Sequence, residues 1–217
     1  EIIFGSVGGS SYFSAFNTLK SGPSAYYQID ANLYNQMSDR DCRKACFLSS
    51  AFADIPIYNV NGNDTTWYHY EVPKYTNLKW AASSFMNYTN HSNAGSTADF
   101  IYMRSSAVLL MLAEAYAQNG QGTQAKAILD KLLAARTKVG AQIMTCDNTM
   151  PGKSALDMVK LQWRIEMWGE GDWAFFNQKR WKEVPTRGAN HWSTVPIPSY
   201  TWEIPEIERQ GNPYWNE

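Results

Sequence analysis

Residues 162 to 181, QWRIEMWGEGDWAFFNQKRW, limit what this chain can become more than any other stretch. Trp163, Ile165, Met167 and Trp168 alternate there with Arg164 and Glu166, so charged side chains stand among apolar ones instead of on a face of their own. Such a helix cannot turn all its charges to water. Buried charges are tolerated only when paired and hydrogen-bonded, so Glu166 and Glu170 require cationic partners. Arg164 and Arg180, close by in sequence, are the expected ones. Gly169 and Gly171 then break the helix.

Two further helices are expected upstream. Arg104 to Asn119 is apolar almost all round, through Val108, Leu109, Leu110, Met111, Leu112, Ala113, Ala115 and Tyr116. That predicts a buried helix ended by Gly120, which can take the left-handed conformation a helix terminus needs. Thr123 is the expected cap of a second helix over 123–139, in which Ala125, Ile128, Leu129, Leu132, Ala135 and Val139 follow helical spacing. Glu114 lies in the most apolar of these helices and calls for an arginine, with Arg136, Arg164 and Arg180 as candidates. Ser154, followed three residues later by Asp157, reads as the capped start of a third helix, 154–168. The three helices are expected to pack into one core.

The flanks read differently. Residues 1–4 form a short apolar strand or turn, and 5–28 a Gly-, Ser- and Tyr-rich loop. Ala31 to Met37 suggests a short helix, followed by a turn at Asp41-Cys42-Arg43-Lys44 that holds an acid–base pair. Short strands are expected at Phe47 to Phe52, Ile55 to Val60, Thr65 to Val72 and Lys74-Tyr75, with a hairpin about the Asn61-Gly62 turn signal and Trp67 and Tyr68 just beyond it. Past Trp181 the chain returns to loops rich in Pro and Trp.

Composition excludes some functions. A net charge of -1 and a pI near 6.4 leave no clustered basic excess for phosphate binding, which argues against nucleic acid. Aromatic residues make up 14%, with nine Trp and thirteen Tyr. That richness suits a large core, and it also suits a surface on which sugar rings stack. The three cysteines, Cys42, Cys46 and Cys146, match no metal spacing with His69, His91 and His191, and are expected as free or buried thiols. The chain contains no G-x-S-x-G, H-E-x-x-H or G-x-x-x-x-G-K-[ST]. No catalytic residue, metal site or cofactor is therefore assigned. Glu166 and Glu170 stand one helical turn apart, at about the 5 Å separation of a retaining glycosidase pair, so a glycoside hydrolase stays open as one reading. Their Arg-rich surroundings favour a structural ion cluster instead.

The 162–181 run resembles the C-terminal signature of the SusD/RagB family of outer-membrane nutrient-binding lipoproteins, a QRRIELWGEG-type helix followed by a DLKRW-like segment. Gln162, Arg164, Ile165, Glu166, Trp168, Gly169, Glu170, Gly171, Lys179, Arg180 and Trp181 match. Trp163 stands where a second Arg or Glu is usual, and Phe176-Asn177-Gln178 where Phe-Asp-Leu is usual. The elements at Ala31–Met37 with Asp41–Lys44, at Lys74-Tyr75, and at Glu203 through Pro213 are similar to further family patterns. The helices of 104–139 resemble one tetratricopeptide unit.

The resemblance implies a mainly α fold of tetratricopeptide-like helical pairs with a loop-rich flank and a few short strands. It implies one C-terminal domain over 1–217, with a loop-rich aromatic part (1–103), a helical core (104–181) and an extended tail (182–217). It implies non-catalytic oligosaccharide binding, or peptide in some members, at the surface of the outer membrane. A SusC-like TonB-dependent transporter would be the partner, and the membrane would be reached only through a lipid anchor absent from this chain. Most of the family's helical pairs belong to an N-terminal half not contained here, so an exposed apolar patch is expected, and with it self-association or membership of a larger protein. Ring stacking needs exposed aromatics on loops, which selects Tyr12, Tyr26, Tyr27, Trp67 and Tyr68 as ligand-binding candidates over the helical Tyr116, Trp163 and Trp168. A helical-repeat protein-interaction module, carried by 104–139, is the other alternative.

Overall fold

The computed structural model describes residues 2–6, 28–50, 52–58, 65–72, 74–77, 79, 100–171, 173–183, 186–190 and 205–211. Strand β1 (Ile2–Ser6) precedes helix α1 (Ala31–Asn35) and a 3₁₀ turn at Cys42–Cys46. Strands β2 (Phe52–Tyr58), β3 (Thr65–Val72) and β4 (Phe100–Arg104) follow. The main helices are α2 (Ser105–Gln118), α3 (Gly122–Ala135) and α5 (Ala155–Glu166), with a single turn α4 (Cys146–Thr149) between the last two. Helix α6 (Trp173–Trp181) and the short α7 (Glu206–Gly211) complete the described elements.

The strands of the expected hairpin pair antiparallel, β2 with β3, with Pro56 opposite Trp67 and Ile55 opposite Tyr68, while the Asn61-Gly62 turn lies outside the described residues. The apolar start also forms a strand, and its partner is distant, since β1 pairs antiparallel with β4. Residues 74–77 thread between two other segments. Tyr75 N–H donates to the Leu48 carbonyl at 2.8 Å, and its own carbonyl accepts from Ile29 N–H at 3.0 Å. These bonds hold Tyr75 at a φ of 73°, a left-handed conformation uncommon for an aromatic residue.

Helices α2, α3 and α5 pack against one another as expected, around Leu110, Leu129, Leu133, Val159 and Trp163, all buried. Two details differ from the sequence reading. Helix α2 is not buried all round: Ala107, Leu110 and Ala113 face the core, while Val108, Met111 and Leu112 stand 43%, 38% and 41% exposed. An apolar stripe in the sequence tells the core face from the outer face only where polar residues mark the difference, and here none do. The second helix starts at Gly122, with Gln121 rather than Thr123 at its cap and no side-chain cap bond. It ends at Ala135, four residues early, leaving Val139 fully exposed.

The termini obey local chemistry. Gly120 follows the last residues of α2 with a φ of 72°, and Gly169 and Gly171 take φ of 69° and 60° after α5. Ser154 caps α5, its hydroxyl oxygen accepting from Asp157 N–H at 3.1 Å. Thr145 and Asn148 form a reciprocal capping box on α4. The tail, expected as extended, carries helix α7. Cys42, Cys46 and Cys146 are free thiols, the first exposed and the last buried. Burial pushes both Cys46 and Cys146 thiols up.

Candidate functional site

The carboxylates of the signature helix sit where three parts of the chain meet. Helix α5 brings Glu166 to its last turn, the glycine break swings Glu170 back beside it, and four cations converge on the pair. Glu166 is 3% exposed. Its Oε1 accepts from Arg104 Nη1 at 2.9 Å and Arg136 Nη2 at 2.7 Å. Its Oε2 accepts from Arg43 Nη1 at 2.9 Å and Arg136 Nε at 3.1 Å. Glu170 accepts from Arg104 Nε and Nη2, at 2.7 Å each, and from Lys79 Nζ at 2.5 Å.

Each cation is itself placed by backbone structure. Arg43 lies in the 3₁₀ turn and is clamped by Asp41 through two guanidinium nitrogens, with a further bond to Gln162 Oε1 at 2.8 Å. Arg104 is the junction between β4 and α2. Arg136 follows the last residue of α3, so the early end of that helix is what turns its guanidinium onto Glu166. Lys79 donates to the carbonyls of Glu166 and Trp168, and Arg104 Nη2 also reaches the Glu166 carbonyl. Cations on the unpaired carbonyls of a helix terminus satisfy them and complement the helix dipole.

The electrostatics follow from this geometry. Burial alone would raise the Glu166 carboxyl, but the Arg136 hydrogen bonds and the charges of Arg43, Arg136 and Arg104 outweigh it and hold the group well below the usual carboxylate range. A general acid needs the opposite shift. Glu166 therefore cannot lend a proton near neutral pH, and all its hydrogen-bonding directions are occupied by guanidinium groups.

The expected partners of these acids were wrong in part. Arg164, two residues before Glu166, makes no bond to it, because residues i and i+2 of a helix do not face each other. Arg180 serves Glu114 instead: its Nη2 lies 2.7 Å from Oε2, and Trp181 Nε1 donates to Oε1 at 2.7 Å. Of the three arginines named for Glu114, the structure selects this one. Arg43, Arg104, Arg136 and Lys79 were not foreseen as partners of Glu166 or Glu170, and only the short-range Asp41–Arg43 pair left a sequence signal.

Of the aromatic candidates, Tyr12, Tyr26 and Tyr27 lie outside the described residues. Trp67 and Tyr68 sit at neighbouring positions of β3, and their side chains lie outside what is described. Of the aromatics expected on helices, Trp163 is 2% exposed, its ring 5.3 Å from that of Trp173; Trp168, just past the end of α5, meets Phe47 edge-on at 5.0 Å; and Tyr116 is half-buried. Among the described residues no group of three or more His, Cys, Asp and Glu could hold a metal ion, and no helix is long and apolar enough to cross a membrane.

Comparison with known proteins decides the family. The SusD family model matches residues 54–208, more than two thirds of the chain. The chain belongs to the SusD family. Its fold is similar to that of a SusD-like carbohydrate binding protein from Bacteroides vulgatus ATCC 8482, with a TM-score of 0.57, 18% identity, and coverage of 98% of this chain and 47% of that one. A SusD superfamily protein from Bacteroides fragilis NCTC 9343 matches at a TM-score of 0.45 and 18% identity, over 82% of this chain and 40% of that one. This SusD family chain thus spans under half the length of either structure. Comparison with curated proteins gives no match. Glu166, Glu170, Lys79, Arg104, Arg136 and the KRW segment fall within the matched SusD residues, whereas Arg43 lies before them.

Proposed function

We propose that this chain is the C-terminal part of a non-catalytic glycan-binding protein of the bacterial cell surface, which passes oligosaccharide to a SusC-like TonB-dependent transporter in the outer membrane. Membership of the SusD family carries this reading. The saturated Glu166 supports its non-catalytic side, since the carboxylate that a hydrolase would need as acid is committed to three arginines. In this reading 1–217 is a single domain, the aromatic part at 1–103 carries the ligand, the helical core at 104–181 holds it in place, and the 182–217 tail closes the fold.

The ligand-binding residues we favour remain Tyr12, Tyr26, Tyr27, Trp67 and Tyr68, as aromatics flanked by Gly, Ser, Asn and Asp. A glycan array read together with reducing-sugar release tests the function. Binding without cleavage is the expected result, and cleavage by the unmodified chain would overturn the non-catalytic reading. Trp67→Ala and Tyr27→Ala should weaken calorimetric affinity for the bound glycan with little change in melting temperature. Unchanged affinity in both would remove this set of residues. The exposed stripe of Val108, Met111 and Leu112 favours a second reading, in which α2 and α3 also serve as a protein-contact surface.

A further inference from the structure

Arg164, absent from the ion cluster, lines an open cleft of ≈ 330 Å³ on the other side of α5, together with Gln36, Lys153, Asp157, Lys160 and Trp181. Small-ligand sites commonly start at about 300 Å³. Arg164 is half-buried, yet its guanidinium makes no hydrogen bond or ion pair with any described residue. Burial disfavours its charge, and Asp30 and Glu183 act on it only through space. A guanidinium held in this way is a planar fork not committed to any described side chain or carbonyl.

Of the other charged groups of the cleft, Asp157, Lys160 and Glu183 are already engaged, while Lys153 stands exposed at its edge. Asp157 accepts from the Ser154 hydroxyl at 2.6 Å, and Lys160 pairs with Glu183. The Lys160 ammonium also lies 5.6 Å from the centre of the Trp181 ring. Gln36 Nε2 is used by the Asn32 carbonyl, which leaves its amide oxygen for a hydroxyl donor. Three cations, Lys153, Lys160 and Arg164, line the cleft against two carboxylates. An aromatic wall, a hydroxyl acceptor and an unfilled guanidinium are thus gathered in one concavity.

We propose that this cleft is a subsite for a carboxylated sugar unit, with the Arg164 fork on the uronate carboxylate and Trp181 forming the apolar wall beside the sugar ring. The proposal rests on the glycan-binding reading and narrows it to uronic-acid-bearing oligosaccharides. A neutral sugar would leave the guanidinium unsatisfied, and a bare anion would leave the aromatic wall unused.

The test is titration of the full 217-residue chain with trigalacturonate, its carboxyl-reduced trisaccharide, and acetate, read by calorimetry and by NMR shifts of the Arg164 Nε–H and Trp181 indole N–H. Trigalacturonate should shift both signals and bind about tenfold or more tightly than the reduced form. Arg164→Gln should abolish that preference without moving the melting temperature. Should that variant fail to fold, Arg164→Lys, which keeps the charge and loses the fork, should lose the preference in its place. Equal binding of the reduced form, acetate as strong as trigalacturonate, no shift at Arg164, or a preference that survives both substitutions would each overturn the subsite. A neutral glycan bound elsewhere would leave the broader reading standing while this one fell. Failure of every glycan, acidic or neutral, would remove both.

Discussion

Each oxygen of Glu166 accepts from two guanidinium groups, so replacing it with Gln removes the charge that compensates three arginines and turns a donor toward two of them. Breaking a buried pair from one side costs about 3–5 kcal/mol. Glu166→Gln is therefore expected to lose stability on that scale, seen as a lower urea midpoint with an unchanged slope. Acid should act on the same group. The folded carboxyl is held below its ordinary value, so its contribution is complete above the unfolded carboxylate value of about 4.3 and is lost as pH falls from there toward the folded value. Melting temperature should drop steadily below about pH 4, and Glu166→Gln should flatten that dependence. That Glu166 needed cations was legible from its apolar neighbours. Which cations was not, because the pairing depends on how distant segments cross, and the nearest arginine in sequence, Arg164, lies on the wrong side of the helix.

Element boundaries were readable where a backbone requirement picks out one residue type. Gly120, Gly169, Gly171 and Ser154 each mark a helix end that a glycine or a capping hydroxyl explains. Thr123 failed as a cap because α3 starts one residue before it, at Gly122, on a backbone already ordered by Gln121. The strand partner of β1 was not readable at all, since pairing across that distance leaves no local pattern. Two glycines separate conformational strain from crowding. A Cβ at Gly120 would meet nothing within 4 Å, so Gly120→Ala should cost only the left-handed strain of about 1–2 kcal/mol. A Cβ at Gly188 would lie 2.9 Å from the Ala31 Cβ and 3.0 Å from two backbone nitrogens. Gly188→Ala should push the 186–190 segment off α1 and weaken the bonds from Gly188 N–H to Asp30 and from Ala31 N–H to Asn190. Hydrogen exchange at Ala31 should then accelerate in that variant and not in Gly120→Ala.

Over the whole molecule, the helical core was legible because α2, α3 and α5 repeat apolar residues at helical spacing. Its outward face was not, because Val108, Met111 and Leu112 are as apolar as the residues beneath them. That face belongs to a chain spanning 47% of the SusD-like structure whose fold it resembles. The 217-residue chain is expected to self-associate through the stripe, visible as a concentration-dependent sedimentation coefficient that Val108→Lys with Met111→Lys removes. A monomer at all concentrations would count against it.

The ion cluster also bears on the order of events as the chain folds. Glu166 is separated from Arg136 by 30 positions, from Arg104 by 62 and from Arg43 by 123. The helical hairpin of α2 and α3 can close through neighbouring contacts alone, whereas Arg43 cannot arrive until the long intervening loop has been drawn in. The cluster is therefore expected to act as a late latch, fastened after the rate-limiting step. Weakening it at Arg43 should leave the refolding rate nearly as it was and hasten unfolding, shortening the lifetime of the native state rather than delaying its arrival.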